Sequence, residues 1–475
     1  MTLKDLQDKK ILILGLGEEG MDTFSFLEQT YPGKILGLAD KKEITEFSPE
    51  IQKKIKGKEN LGSSCLPAGR YLGKDYLRAL AGYDVIFKTP GIPLPEISPY
   101  LKKNQIITSQ AGFFLENCLG KIIGITGTKG KGTTVSLLHE ILKTAGLKSF
   151  LVGNIGEPVL SYLKSAKKDD VFVYELSAQQ LQNLKVSPHI AGFLNLYQAH
   201  LDHFENMKEY QKSKESITLF QSKNDWFIYN QDQKALKHLA KKTKAQKIGI
   251  SLESRQADCY FQDGWLIWQE ERIIQASEVP LIGRFNLYNV MMAISAAKLL
   301  KIKNKTIKSA IKEFRALPHR LEFVGEFNGI GFYNDSLATL PEPVIFAIDA
   351  LGDKIQTIIL GGHDAGQDFE PLAKKVLESK IKTIIFFLPT GKMIYQTILK
   401  IGESNPNFKK RAQEINYFFA DNMEKAVNVV FENTSQEKVC LLSPACPSFG
   451  VFKDYKDRGE QFKKYIREYG KKNRS

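Results

Sequence analysis

Short apolar runs punctuate the chain, and most of them end in glycine, threonine, proline or an acidic residue. ILIL (Ile11–Leu14), KILGLAD, YDVIFK, KIIGIT, FVYEL, IAGFLNL, TIILGG, TIIFFL and VCLLSP are all of this kind. Runs so short and so evenly apolar predict strands buried on both faces, the habit of parallel sheets covered by helices. Longer stretches with apolar residues at helical spacing separate them, so the alternation predicts doubly wound α/β layers.

The runs fall into three blocks. In the first, Ile11–Leu14 leads into Gly15-Leu16-Gly17-Glu18-Glu19-Gly20 and then a helix. That is the strand–turn–helix context of a Rossmann-type nucleotide site. KILGLAD closes at Asp40, where a carboxylate is expected to hold a nucleotide's sugar or base, and YDVIFK ends in the turn Thr89-Pro90-Gly91. The second block opens with KIIGITGTKGKGTTVSLLHEIL, a buried strand, a glycine-rich loop and a helix predicted from near Thr133. An amphipathic helix beginning near Asn286 is expected to close it. The third block starts around Leu317. The expected fold is three consecutive α/β domains: a Rossmann-like N-terminal domain (1–118), a P-loop-type central ATPase domain (119–316) and a Rossmann-like C-terminal domain (317–475).

Length agrees, since 475 residues at about 150 per domain make about three. With 43% hydrophobic and 25% charged residues, the composition excludes disordered and collagen-like chains. Lys and Arg outnumber Asp and Glu 67 to 53, a net +14, which favours anionic partners. The basic residues are dispersed (Lys53–Lys58, Lys234–Lys247, Lys463–Arg474), so they read as solvated surface, and no nucleic-acid partner is expected. Five cysteines without a CxxC pair indicate reduced thiols. The polar N-terminus and the lack of long apolar runs predict a cytoplasmic protein that inserts in no membrane; we expect a monomer.

The strongest chemical signal is Gly127-Thr128-Lys129-Gly130-Lys131-Gly132-Thr133-Thr134. Glycines let the backbone wrap phosphates, N–H groups point inward, and the following helix adds positive potential. Lys131 would reach the terminal phosphates, and a threonine hydroxyl would bind Mg²⁺. Spacing departs from the P-loop pattern, because Gly132 occupies the hydroxyl residue's place. The first-block turn is a weaker signal, one that suits NAD or another nucleotide's diphosphate. The chain therefore reads as a dehydrogenase fused to an ATPase or as an ATP enzyme acting on a nucleotide-linked substrate.

Further segments narrow the choice. TGTKGKGTT, GNIG, ELSAQQL, LNLYQAHLDHF, GRFNLYNVMMA, LPHRLE, NDSLAT and LLSPACPSFGVFKDYKDRG stand in the order and spacing of the Mur ligases. Together with GLGEEG and TPGI, the resemblance covers essentially the whole chain, and it is strongest to the branch that adds D-glutamate. It implies ATP-dependent joining of glutamate to UDP-N-acetylmuramoyl-L-alanine through an acyl phosphate, in peptidoglycan precursor synthesis. ATP would lie on Gly127–Thr134, Asn289, Arg320 and Asp335. Two Mg²⁺ ions are implied, held by Thr133, Glu175, His200 and Lys214, with Lys214 carbamylated so that it presents oxygens to the metal. Lys131, Asn154, His200 and Lys214 would carry the chemistry. Gly15, Gly17, Gly20, Asp40, Thr89, Pro90, Gly91, Ser177, Gln180, Thr339, Ser448 and Tyr455 would hold the substrates.

The pattern departs from the resemblance in the amino-acid pocket. Leu337 and Ala365 stand where the D-glutamate branch has lysines, and a dicarboxylate needs charge or hydrogen bonds in compensation. His363, Asn334, Thr339 and Ser448 can rebuild such a pocket. An L-glutamate-adding variant therefore stays open, with a folylpolyglutamate-synthase-like ligase (which shares Gly132) and an NAD-dependent oxidoreductase more remote. Ala178 and Ala199 replace more polar residues of the Mur pattern.

Overall fold

Three sheets organise the chain, which a computed structural model describes for residues 1–56, 70–198 and 203–472. The first is wholly parallel: β1 (Ile11–Leu14), β2 (Leu36–Asp40), β3 (Arg70–Leu72), β4 (Val85–Lys88) and β5 (Ile106–Thr108), in the order β3-β2-β1-β4-β5. β1 is buried at every position, which is why its four residues are all apolar: helices cover both faces, and an alternating pattern would bury polar groups.

The second sheet contains β6 (Lys121–Thr126), β7 (Ser149–Gly153), β8 (Val171–Glu175), β9 (Ile190–Phe193), β10 (Trp226–Asn230), β11 (Gln246–Ser251), β12 (Cys259–Gln262), β13 (Trp265–Trp268) and β14 (Glu271–Gln275). They run β14-β13-β12-β11-β10-β9-β6-β8-β7. The alternation of strands with helical stretches predicts a parallel sheet here, and the β12–β13–β14 margin is antiparallel instead. The reason is local. Asp263-Gly264 and Gln269-Glu270 turn with positive φ, making hairpins too short for a helical crossover.

The third sheet joins β15 (Glu322–Phe327), β16 (Ile330–Asn334), β17 (Ile355–Gly361), β18 (Thr383–Phe387), β19 (Asn416–Ala420) and β20 (Val439–Leu442) in the order β15-β16-β20-β17-β18-β19. Only β15 is antiparallel, turning into β16 at Asn328-Gly329.

Two compact units result: Met1–Glu278 with Leu287–Glu313, and Val279–Asn286 with Phe314–Ser475. The first unit contains the first two sheets, which share a core. Phe114, on the helix Gln110–Asn117, meets Phe172 at 5.1 Å and Tyr174 at 6.1 Å edge to face, and each such pair adds about 0.5–1.5 kcal/mol to simple burial. Asp22 reinforces the join, its Oδ2 accepting from Gln110 Nε2 (2.8 Å) and the Leu160 amide (3.2 Å). The helix expected from Asn286 spans Phe285–Leu299. It is not amphipathic: Val290 through Ala297 are buried without a break, so packing surrounds it rather than lining one face.

One rule positions most of the candidate residues. β1 lies between β2 and β4, β6 between β9 and β8, and β20 between β16 and β17, so the strand order reverses at each of them. Ligands of parallel sheets bind at that switch point, beyond the carboxyl ends of the strands. The loops after β1, β6 and β20 and after their neighbours carry nearly all the singled-out residues.

Candidate active site

The loop after β6 is a closed backbone structure. Gly130 adopts φ +83°, and a Cβ there would collide with the Asn289 carboxamide, so both the conformation and the close approach require glycine. The helix begins at Lys131 rather than near Thr133 and runs to Thr144, with Thr134 Oγ1 donating back to Gly130 O (3.0 Å). Asn195, just beyond β9, braces the loop from the other side. Its Oδ1 accepts from the Lys129 amide (2.8 Å), its Nδ2 donates to Lys129 O (3.0 Å), and its carbonyl accepts from the Thr128 amide (2.9 Å). Lys131 Nζ curls over the loop and donates to the carbonyls of Gly127 (3.0 Å) and Thr128 (3.3 Å).

Beneath the loop lies a second lysine. Lys214, on the helix Met207–Leu219, is only 1% exposed, whereas Lys212 on the same helix is exposed. Lys214 Nζ donates to Gly127 O (2.9 Å) and Thr126 Oγ1 (3.2 Å) and stands 5.1 Å above the Tyr210 ring. Burial drives its pKa well below the usual lysine value; the charge of Lys131 adds to the drop and that of Glu175 opposes it. Tyr210 also bonds Thr128 Oγ1 through its hydroxyl (3.1 Å).

Glu175 ends β8, directly beside β6, and is 4% exposed. Its Oε1 accepts from Asn154 Nδ2 at 3.2 Å, while its Oε2 is buried with no hydrogen-bond partner. An orphaned carboxylate oxygen next to a phosphate loop is the expected first ligand of a divalent cation. Among the described residues, no three His, Cys, Asp or Glu cluster to hold a metal. Mg²⁺ takes one or two carboxylates and fills its shell with water and phosphate oxygens, so Glu175 could begin such a site. Thr133 is buried in the same first helical turn. His200 and Ala199 lie outside the described residues.

At the first sheet, Gly15 (φ +94°) lies against Thr89, whose Oγ1 donates to Leu14 O at 3.0 Å. Gly20 presses on the Gly15 carbonyl, leaving no room for a Cβ. Gly17 caps the helix Glu18–Thr30 and, like the exposed Gly91 after Pro90, has open space around it. Asp40 accepts from the amides of Leu16 (2.6 Å) and Lys42 (2.9 Å), so it shapes the glycine turn directly. Ser177 and Gln180 form a reciprocal cap on the short helix Ala178–Leu181, and Gln180 Nε2 donates to Glu19 Oε1 at 2.6 Å.

Burial raises Glu19 to about 7, against the Gln180 hydrogen bond and the positive charge of Lys88. Burial likewise lowers Lys88 to about 8. A raised carboxyl means that the folded state keeps a proton the unfolded chain has released, so stability falls as pH rises from about 4.5 to about 7. Glu19→Gln is expected to melt close to wild type near about pH 5 and above it near about pH 8, which thermal melts at the two pH values will check. A parallel pH dependence in both proteins would contradict it.

At the third sheet, Asp335 follows β16; its Oδ1 accepts from the Leu321 amide (3.0 Å) and its Oδ2 from Ser443 Oγ (2.7 Å). Arg320 is half-buried, with its Nε unpartnered. Ser448 is buried in the loop after β20, Thr339 is half-buried, and Tyr455 packs edge-on to His319 at 6.0 Å. Asn334 bonds His319 (3.0 Å) and Glu322 (3.1 Å) and is fully buried. Leu337 is half-buried, while His363 and Ala365 are exposed.

Comparison with known proteins places this arrangement. The Mur ligase middle domain matches residues 125–297, the segment that carries the glycine-rich loop, Glu175, Lys214 and Asn289. The UDP-N-acetylmuramoylalanine–D-glutamate ligase of Clostridium tetani is 32% identical over 98% of this chain and 98% of its own. That of Symbiobacterium thermophilum is 34% identical over 83% and 86%. The chain belongs to the Mur ligase family. Among solved structures, the Mur ligase fold recurs in UDP-N-acetylmuramate-alanine ligase MurC of Thermotoga maritima (TM-score 0.58, 16% identity, 98% of this chain and 100% of that one). It recurs also in MurF ligase of Thermotoga maritima in complex with ADP (TM-score 0.56, 16% identity, 98% and 97%). Mur ligases form amide bonds at the expense of ATP. Against that background, two residues that brace the loop of this Mur ligase are not marked individually by its motifs: Asn195 and Tyr210. Tyr210 stands four positions before Lys214 on one helix face, a spacing that signals contact. Asn195 is the first polar residue after an apolar strand, where loop-bracing amides occur.

Proposed function

We propose that the protein is the ligase that adds D-glutamate to UDP-N-acetylmuramoyl-L-alanine. ATP would phosphorylate the alanine carboxylate, the glutamate amine would attack the acyl phosphate, and phosphate would leave. One observation carries this reading: Lys131, Lys214 and the partnerless oxygen of Glu175 gather around a loop that only glycine can close. Phosphoryl transfer between two anions depends on such charge compensation and alignment. Mg²⁺, when bound, would neutralise phosphate charge and align the oxygens, with Glu175, Thr133 and a carbamylated Lys214 as its holders. Lys131 orients the terminal phosphates, Asn154 fixes the Glu175 carboxylate, and Asn289 backs the loop at Gly130. Residues 1–118 would hold the UDP group, 119–316 ATP, and 317–475 the amino acid.

Among the described residues no helix is long and apolar enough to cross a membrane. We place the enzyme in the cytoplasm, as a monomer, where ATP and its nucleotide-sugar substrate are made.

Leu337 and Ala365 favour a second reading, in which L-glutamate is the acceptor. Phosphate release from ATP, measured with UDP-N-acetylmuramoyl-L-alanine and each isomer in turn, tests both. Release is expected with D-glutamate and only when the UDP substrate is present. Preference for the L isomer would favour the second reading, and silence with both isomers would refute the ligase assignment.

A further inference from the structure

Arg458 occupies the first turn of the helix Tyr455–Lys472, a position where a cation opposes the helix dipole. Its guanidinium is nevertheless fully buried. Nε donates to Ser336 Oγ (3.0 Å), Nη2 to Ser336 O (2.8 Å) and Nη1 to Cys446 O (3.1 Å). All three acceptors are neutral, and among the described residues no carboxylate pairs with it. Ser336 Oγ in turn donates to Tyr455 O (2.8 Å). The loop after β17 closes the third side: a Cβ at Gly362 would meet both Pro447 O and the Arg458 guanidinium, and the His363 amide donates to Pro447 O at 2.8 Å.

A buried cation without a counter-ion is costly, and an apolar side chain of similar volume would serve stability better. What such a side chain cannot supply is a rigid planar fork with donors aimed at two loops at once. The loops it joins follow β16 and β20, the first carrying Asp335 and Thr339 and the second Ser448.

We propose that Arg458 is a positioning residue whose guanidinium fork fixes the distance between the Asp335–Thr339 and Cys446–Ser448 loops and thereby the recognition of the incoming amino acid. The proposal rests on the reading that these loops hold the acceptor. Full-length Arg458→Lys keeps the charge without the fork, and Arg458→Met keeps the volume without either. Both are expected to raise the glutamate KM by roughly ten-fold or more, with the KM for the UDP substrate little changed. In hydrogen exchange, both loops should lose protection while the β6 loop does not.

Wild-type glutamate KM in Arg458→Lys would show that charge alone suffices and would overturn the proposal. Unchanged loop protection in a folded variant would overturn it too, and so would a lowered melting temperature with an unchanged glutamate KM. Wild-type protein assayed alongside separates these results from failure of the ligase reading, which would silence the wild type as well. The exchange measurement needs no activity.

Discussion

Lys131→Ala is expected to lower kcat by roughly a hundred- to a thousand-fold, the effect of removing one preorganised charge from a phosphoryl-transfer site. Lys131 Nζ covers the carbonyls of Gly127 and Thr128 at 3.0 and 3.3 Å. Without the ammonium, Thr128 O loses that donor, Gly127 O keeps Lys214 (2.9 Å), and the positive charge that would meet the incoming phosphates is gone. Folding should be spared. The residue opens a helix where alanine is at least as good a helix former, and two of its hydrogen bonds end on the loop's own carbonyls. Binding of the UDP substrate, which we assign to the first sheet, should persist. ATP-dependent phosphate release and calorimetric titration with the UDP substrate give the two readouts. Loss of both together would mean that the variant is misfolded or that the loop serves the UDP group instead.

The sequence carried the loop's position because three signals converge there: a buried apolar run, glycines and a helical pattern. Strand ends were legible for the same reason. Asp40, Thr89, Glu175 and Asn334 all close apolar runs, and a parallel sheet brings such ends to one edge. The antiparallel margin β12–β14 was not read from the sequence although Asp263-Gly264, between CYFQ and WLIW, is a strong two-residue hairpin signal; Gln269-Glu270, before ERIIQ, carries none. Nor was the all-round burial of the helix Phe285–Leu299, since periodicity reports one apolar face but not a helix enclosed on every side.

Roles set by long-range partners were the least legible. Asp40 was legible as a candidate nucleotide-binding carboxylate but not as the acceptor for the amides of Leu16 and Lys42. Gln180 was legible as a candidate pocket residue but not as the partner of Glu19, 161 positions away. Arg458 passes for one more surface charge in KDYKDRGEQFKK, because nothing in a basic amphipathic stretch marks which cation turns inward. Lys212 and Lys214 illustrate the same limit, since only burial distinguishes them.

That distinction underlies the second large effect. Lys214→Ala is expected to lower kcat by about a hundred-fold or more and to recover part of it on addition of acetate or propionate. An ammonium cannot ligate a cation, whereas a carbamate presents two oxygens and a negative charge. Formation of the carbamate needs the neutral amine, whose Nζ attacks CO₂ and sheds a proton. Burial and the charge of Lys131 favour that neutral form in Lys214. Once formed, the anion would face Lys131 instead of a like charge being held beside it, so the repulsion in the unmodified protein becomes an attraction. Truncation leaves little unsatisfied: Thr126 Oγ1 keeps its bond to Leu176 O (2.8 Å) and Gly127 O keeps Lys131 (3.0 Å). The space vacated beside Tyr210 is open to a small carboxylate able to supply the missing oxygens. Kinetics with and without the acids, alongside melting curves, will decide. Full activity without rescue would remove Lys214 from the site, and an intact fold with no rescue would mean that the lysine acts as a cation and not as its carbamate.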